Sequence, residues 1–305
     1  MIPLVTIEGP TASGKSALAL ALARELGSQI VSADSRQVYR KLDIGTAKPK
    51  AAELEAVPHH LIGIIDPNDS YNAGRFCAAA QDIINRLQIS GVLPIVCGGT
   101  GLYVASLLRG LFPQVPVSQE VRQHLAQRLA GEGLESLYRE LSQVDPEFAA
   151  RVSARDKQRI LRGLEIWQTT GIPISEHWRR QRPQEDYRAF RILLLPPRPL
   201  LYERINQRVR TMLEAGWLDE IREILAAGWH PGCPGLSSLG YKELLPHILS
   251  GATLAECAAL AAQHTRNYAK RQCTWYRKYK FDLTLDAPVS NISDVVGPLK
   301  AWLRL

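Results

Sequence analysis

Eight residues near the N-terminus, Gly9-Pro10-Thr11-Ala12-Ser13-Gly14-Lys15-Ser16, have the types and spacing of a phosphate-binding loop, G-x-x-x-x-G-K-[ST]. Two glycines let consecutive backbone N–H groups curl around an oxyanion. A helix opening at the end of the loop adds partial positive charge there. Lys15 adds a full charge, and the Ser16 hydroxyl suits Mg²⁺. A glycine-rich turn with a chance lysine is the alternative. A strand before the loop and a helix after it argue for phosphate binding, without saying whose phosphate is bound.

Two further polar clusters follow strand-like runs. Asp34-Ser35-Arg36-Gln37 closes the run 29–33. A carboxylate there can accept a proton or hold Mg²⁺ through water; it can equally cap a helix starting near Gln37. Gly98-Gly99-Thr100-Gly101 closes the run 94–97. Its glycines suit a tight turn, and Thr100 brings one hydroxyl. An ATP-hydrolysing enzyme would more often carry an acid after such a strand.

Charge is unevenly spread. The chain has 37 Lys and Arg against 30 Asp and Glu, a net charge of +7. Residues 264–280 contain Arg266, Lys270, Arg271, Arg277, Lys278 and Lys280 and no acid. On a helix, Arg266, Lys270 and Arg277 share one stripe, with Tyr268, Trp275 and Tyr279 opposite. A solvated face normally mixes acids with bases, so the acid-free stripe points to a phosphate backbone; the aromatic side reads as buried. Arg155, Arg159 and Arg162 make a second stripe opposite Ile160, Leu164 and Trp167.

These groups need a frame. Alternating strands and helices over the first ~115 residues predict an α/β phosphate-loop core with a mainly parallel sheet. Its strands are expected at 4–8, 29–33, 60–65, 94–97 and 191–195. Polar residues gather after the strands, at the edge where open α/β sheets bind ligands. Residues 116–189 read as a helical insertion, with helices at 119–130, 134–144 and 156–169 and a shorter piece near Glu176. Residues 1–115 and 190–305 then form the catalytic core. In its C-terminal part, 200–227 is helical with a break at Gly216, and 253–279 is helical with Thr253 as N-cap.

Composition sets the compartment. Hydrophobic residues make up 46% and charged residues 22% of the chain, which suits a soluble globular protein. No apolar run reaches the length of a membrane span. The five cysteines (77, 97, 233, 257, 273) are scattered without a C-x-x-C pair, so neither a disulfide framework nor a zinc site is expected. The sequence runs straight into a strand and the loop, so no targeting peptide is expected and the cytoplasm is the expected location. His59-His60 reads as a packing or hydrogen-bonding pair.

Taken in order, residues 9–16 (GPTASGKS), 34–39 (DSRQVY), 43–49 (DIGTAKP), 58–62 (PHHLI), 98–103 (GGTGLY), 156–165 (DKQRILRGLE), 239–243 (LGYKE) and 265–277 (TRNYAKRQCTWYR) resemble the tRNA isopentenyltransferase family of the bacterial type, nearly end to end. The first segment alone is shared by many phosphate-binding enzymes; the ordered set is specific. Ser16 stands where threonine is commoner. The resemblance implies transfer of a dimethylallyl group from dimethylallyl diphosphate to the exocyclic N6 amine of the adenosine just 3′ of the anticodon (position 37), in tRNAs reading codons that begin with U. By the same resemblance, Gly9, Pro10, Thr11, Ala12, Ser13, Gly14, Lys15, Ser16 and Arg208 hold the diphosphate with Mg²⁺. Asp34 is the base, with Thr100 at the reacting centre. Asp34, Ser35, Arg36, Gln37, Thr100, Arg122, Gln158, Arg159, Ile160, Leu161 and Arg162 face tRNA, joined by the basic stripe Arg266, Lys270 and Arg277. The two stripes are expected to flank the anticodon stem-loop, whose target base flips into the protein. Nothing calls for a membrane or an obligate protein partner, and a monomer is expected.

Two other readings use fewer of these features. A kinase of a small metabolite explains the loop and Asp34 but leaves the acid-free helix idle. A non-catalytic RNA-binding module explains the basic faces and wastes the phosphate loop.

Overall fold

The computed structural model describes residues 1–110, 115–180, 186–286 and 291–304. The chain folds as two compact units, Met1–Arg109 with Glu185–Leu305, and Gly110–Gln184.

The first unit is built on a six-stranded, all-parallel sheet of β1 (Ile2–Glu8), β2 (Gln29–Ser32), β3 (His59–His60), β4 (Pro94–Gly98), β5 (Tyr187–Leu194) and β6 (Leu283–Leu285). The order is β3-β2-β4-β1-β5-β6, so β4 lies between β1 and β2. Central parallel strands are covered on both faces, which is why β1 and β4 read as continuous apolar runs. Leu18, Ala19, Leu22 and Ala23 of the helix Lys15–Leu26 pack against Val5, Ile7, Ile95 and Ile192. That helix starts straight after Gly14, which turns the chain at φ 97° in the left-handed region. Its open N-terminus therefore faces the phosphate-binding loop.

Three expectations change. The run 60–65 forms only a two-residue strand, because Leu61 and Gly63 take left-handed backbone and swing the chain off the sheet. Ile65 returns for a single bridge to Tyr39, and the apolar side chains of Leu61 and Ile65 are buried without a ladder. Strand β5 begins at Tyr187 instead of 191, since Tyr187, Arg188 and Ala189 pair with Ile2, Pro3 and Leu4. The predicted 116–189 insertion thus extends too far at its C-terminal end, and the second compact unit is Gly110–Gln184. Strand β6 lies outside the predicted strands, although residues 281–286 alternate apolar and polar side chains.

The C-terminal helices Arg198–Glu214, Trp217–Ala226, Tyr241–Ser250 and Leu254–Tyr276 build a second core with Val38, Tyr39, Leu42 and Ile65. Gly216, at φ 96°, makes the expected break. Thr253 sits at the N-cap position, but its hydroxyl bonds Glu256 instead of a backbone amide.

The second unit is helical. Helix Gln119–Val144 is interrupted at Gly133, and Pro146–Ala149, Lys157–Thr170 and Ile174–Arg180 follow. Leu125, Leu137, Leu141, Phe148, Ile160 and Leu164 form its core. Buried Asp145 ties it together, accepting from Phe148 N at 3.0 Å and Ser175 N at 2.9 Å. Among the described residues, no helix is long and apolar enough to cross a membrane.

Candidate active site

A cleft of about 380 Å³ opens at the C-terminal ends of β1, β2 and β4. The sheet order explains the meeting of remote segments there. With β4 between β1 and β2, the turns after all three strands lie side by side. Lys15, Ser16 and Thr11 come from the loop after β1, Asp34 to Gln37 from the turn after β2, and Gly98 and Gly99 from the turn after β4. A second opening of about 430 Å³ shares Lys15, Ser16, His59 and Arg208 and adds Ala12, Gly14, Lys48, Lys50 and Arg204. The phosphate loop therefore borders both openings.

The close packing of these turns requires small residues. A Cβ on Gly98 would collide with the Ala33 carbonyl. One on Gly99 would lie 2.7 Å from Gln272 Nε2 and 3.4 Å from Lys15 Nζ. The glycines after β4 serve this approach; Thr100, the next residue, lines neither opening but bonds the Asp34 turn. Its Oγ1 accepts from Ser35 N at 3.1 Å, and it stands beside the Tyr268 phenol.

Electrostatics separate the two ends of the cleft. Burial pushes the Lys15 ammonium below its ordinary pKa; Cys97 and Asp34 pull it back, and Arg208 opposes them. Burial likewise lowers the Arg208 pKa, with Asp34 counteracting. Among the residues lining the first cleft, Asp34 is the only carboxylate. Its Oδ1 accepts from Arg36 N at 2.8 Å and Gln37 N at 3.3 Å. This is the backbone-capping geometry of an Asx turn, and no helix follows it. Oδ2 has no hydrogen bond among the described residues, so one oxygen is pinned and the other is open. Burial lifts the Cys97 thiol to about 12 and the Tyr268 phenol to about 12, the latter with help from Asp34. Both stay protonated at neutral pH.

Several predicted residues stand elsewhere. Arg266 bonds Asn206 and does not line the cleft. Lys270 and Arg277 are exposed; the helix ends at Tyr276, and its C-cap Arg277, with right-handed backbone at φ −60°, continues the stripe. In the second unit, Arg155 precedes the N-cap Asp156 and is not on the helical stripe. Gln158 and Arg159 are exposed, Arg159 pairing with Asp156; Arg162 is half-buried beside Glu165. Ile160 is fully buried in that unit's core and Leu161 packs against it, so Ile160 offers no side chain to a ligand. Arg122 is exposed. His59 and His60 bond Val57 O and Gln29 Oε1, each at 2.7 Å, as hydrogen-bonding residues do.

Other site residues carried too little signal. Tyr268 was expected with the buried aromatic face; it lines the cleft, with the Arg271 guanidinium 5.7 Å from its ring centroid. Buried Gln272 accepts from Thr11 N at 2.9 Å and donates to Gly99 O at 2.7 Å, joining the loops after β1 and β4. Lys242, Ser237 and Ser238 line the opposite wall. Tyr268, Arg271 and Gln272 lie within the basic segment, where attention to one charged stripe hid the face turned to the cleft.

Comparison with known proteins agrees with this geometry. The family model described as IPP transferase matches residues 37–279. A tRNA dimethylallyltransferase of Syntrophobacter fumaroxidans is 47% identical over 90% of this chain and 81% of its own. One from Roseiflexus castenholzii is 45% identical over 94% of both. Among solved structures, the full-length tRNA isopentenylpyrophosphate transferase of Bacillus halodurans superposes with TM-score 0.71 at 34% identity, over 100% of this chain and 99% of that one. A eukaryotic dimethylallyltransferase acting on tRNA gives TM-score 0.83 at 27% identity, over 99% of this chain and 78% of that one. These relatives are alkyl transferases and do not favour a kinase reading. With the phosphate loop, the Asp34 turn and the basic helix meeting at one cleft, the chain belongs to the IPP transferase family.

Proposed function

We propose that the chain transfers a dimethylallyl group from dimethylallyl diphosphate to the exocyclic N6 amine of the adenosine 3′ of the anticodon, in tRNAs reading codons that begin with U. The products are N6-(dimethylallyl)adenosine and diphosphate. The observation that carries this reading is the charge arrangement of the cleft: two half-buried cations, Lys15 and Arg208, at the phosphate loop, and one carboxylate, Asp34, with an open oxygen.

The leaving diphosphate lies on the loop amides, Lys15 and Arg208. As the allylic C–O bond breaks, its electron pair goes to the diphosphate, and these groups stabilise the growing charge. The N6 lone pair forms the new C–N bond. That amine is a poor nucleophile because its lone pair is delocalised into the ring. Asp34 Oδ2 accepts its hydrogen bond and takes the proton as the bond forms. Tyr268 lines the cleft, and Thr100 holds the Ser35 backbone next to Asp34. Ser16 is exposed at the start of its helix and borders both openings. Among the described residues no cluster of three His, Cys, Asp or Glu could hold a metal by itself. This donor set fits Mg²⁺ held by the Ser16 hydroxyl together with diphosphate oxygens, where it would neutralise leaving-group charge.

Lys270 and Arg277, exposed along an acid-free segment, suit RNA phosphates, and Arg271 and Lys242 suit the nucleotides entering the cleft. In the Gly110–Gln184 unit, Arg122, Gln158, Arg159 and Arg162 supply further RNA contacts. The reading asks for no second subunit. The test is incubation with unmodified tRNA and labelled dimethylallyl diphosphate, followed by mass spectrometry of the nucleosides. N6-(dimethylallyl)adenosine is the expected product; its absence, or phosphate transfer from ATP, would overturn the reading.

A further inference from the structure

Glu220 lies outside the chemistry just described, yet its carboxylate collects four donors. Oε2 accepts from Asp43 N at 2.7 Å and Ile44 N at 2.6 Å. Oε1 accepts from the Tyr241 hydroxyl at 2.6 Å and from Gly45 N at 3.3 Å. Three consecutive backbone amides on one side chain fix the path of a loop, because each removes a rotational option from the peptide that carries it. The loop is also pressed against aromatic rings. A Cβ on Gly45 would lie 2.5 Å from Tyr241 Cε2 and would overlap the Trp217 indole.

The loop held in this way leads to the site. Gly45, Thr46 and Pro49 line the cleft. The carbonyls of Thr46 and Ala47 accept from Gln37 Nε2 at 3.3 and 2.9 Å. Gln37 in turn donates its backbone N–H to Asp34 Oδ1. A continuous set of bonds therefore runs from helix Trp217–Ala226 through loop 43–47 and Gln37 to the carboxylate at the reacting end. None of these hydrogen bonds involves Lys15 or the phosphate loop.

We propose that Glu220 is a positioning residue for the transfer step: it fixes loop 43–47 by its amides and, through Gln37, sets the Asp34 turn against the cleft. The proposal rests on the activity assigned above. Only a carboxylate suits the position. Ionised, it is acceptor-only with about four lone-pair sites, matching its four donors, whereas a glutamine amide would turn N–H groups toward backbone N–H groups.

The test uses the full chain with E220Q, Q37A and the double variant. Single-turnover transfer is followed at saturating tRNA and dimethylallyl diphosphate. E220Q is expected to slow transfer by about 10- to 100-fold, the scale of a small misplacement at a reacting centre. Pyrophosphate affinity should stay near the wild-type value, because the phosphate loop is not part of the link. The double variant should be no slower than the slower single variant, since both break one connection. I224V, a buried core change on the same helix, measures the effect of lost stability alone and should transfer at the wild-type rate. Y241F removes one donor and keeps the ring; it too should slow transfer without multiplying the Q37A effect, which keeps the proposal testable should E220Q not fold. Unslowed transfer in E220Q beside an active wild type, or losses that multiply in the double variant, would overturn this inference alone. A wild-type chain that transfers nothing would overturn the activity reading and this inference with it.

Discussion

Arg208 lies close enough to Lys15 to lower its pKa further, and Asp34 is the carboxylate that counteracts burial at both. The free site is therefore short of an anion. Inorganic pyrophosphate should bind and raise the melting temperature, by an amount equivalent to about 2.7 kcal/mol at a hundred times its Kd. A bound anion favours protonated Lys15, whose pKa in the free site is depressed. Affinity is thus full below that depressed pKa and falls as pH rises through it; a pyrophosphate titration across pH would show this, and K15A should flatten the profile. K15A should also cost about 10²–10³ in transfer rate, the usual loss for one positioned electrostatic group, with tRNA affinity little changed. Equal losses in both would contradict that division of labour. D34N should leave pyrophosphate binding nearly intact and slow single-turnover transfer by about 10²–10⁴, because asparagine keeps the turn but cannot take the proton. Wild-type transfer by D34N would reduce Asp34 to a turn cap.

At the scale of elements, helix Leu254–Tyr276 carries two functions on two faces. Gln272 on its inner face bonds Thr11 and Gly99, and Q272A would orphan a buried N–H and a buried carbonyl. Each such loss costs about 1–3 kcal/mol, so the melting temperature and pyrophosphate affinity should fall together. On the outer face, K270A and R277A should each weaken tRNA binding and flatten its salt dependence by a slope of roughly 0.7–0.9 per lost phosphate contact. Unchanged slope and affinity in both would make this a solvated face. This helix also marks what was legible in the sequence. Its existence, charge and N-terminus could be read, as could β1, β4, the phosphate loop and Asp34, because those signals are local. Tyr268 and Gln272 were hidden because their partners, Thr100 and Thr11, are remote in sequence and no helical period encodes a tertiary contact. The run 60–65 misled for the opposite reason: apolar side chains signal burial, while the left-handed backbone of Leu61 and Gly63, which ends the strand, leaves no mark in hydropathy.

For the whole molecule, the sheet and the Gly110–Gln184 unit have separate cores. Exposed Arg159 takes no part in packing its unit, so R159A should lower tRNA affinity while the pyrophosphate-induced rise in melting temperature stays at the wild-type value. A loss of both would show that the arginine supports the fold. The Gln272 bridge has a consequence for how the protein is made. It joins the phosphate loop to a residue 261 positions later. During synthesis the loop, the first feature to leave the ribosome, waits for almost the entire chain before this partner arrives. A nascent or truncated chain ending before that glutamine carries the whole phosphate-binding motif but not the brace that closes it, so anion affinity should develop late in biogenesis. Fragments released early should therefore bind pyrophosphate more weakly than the whole chain.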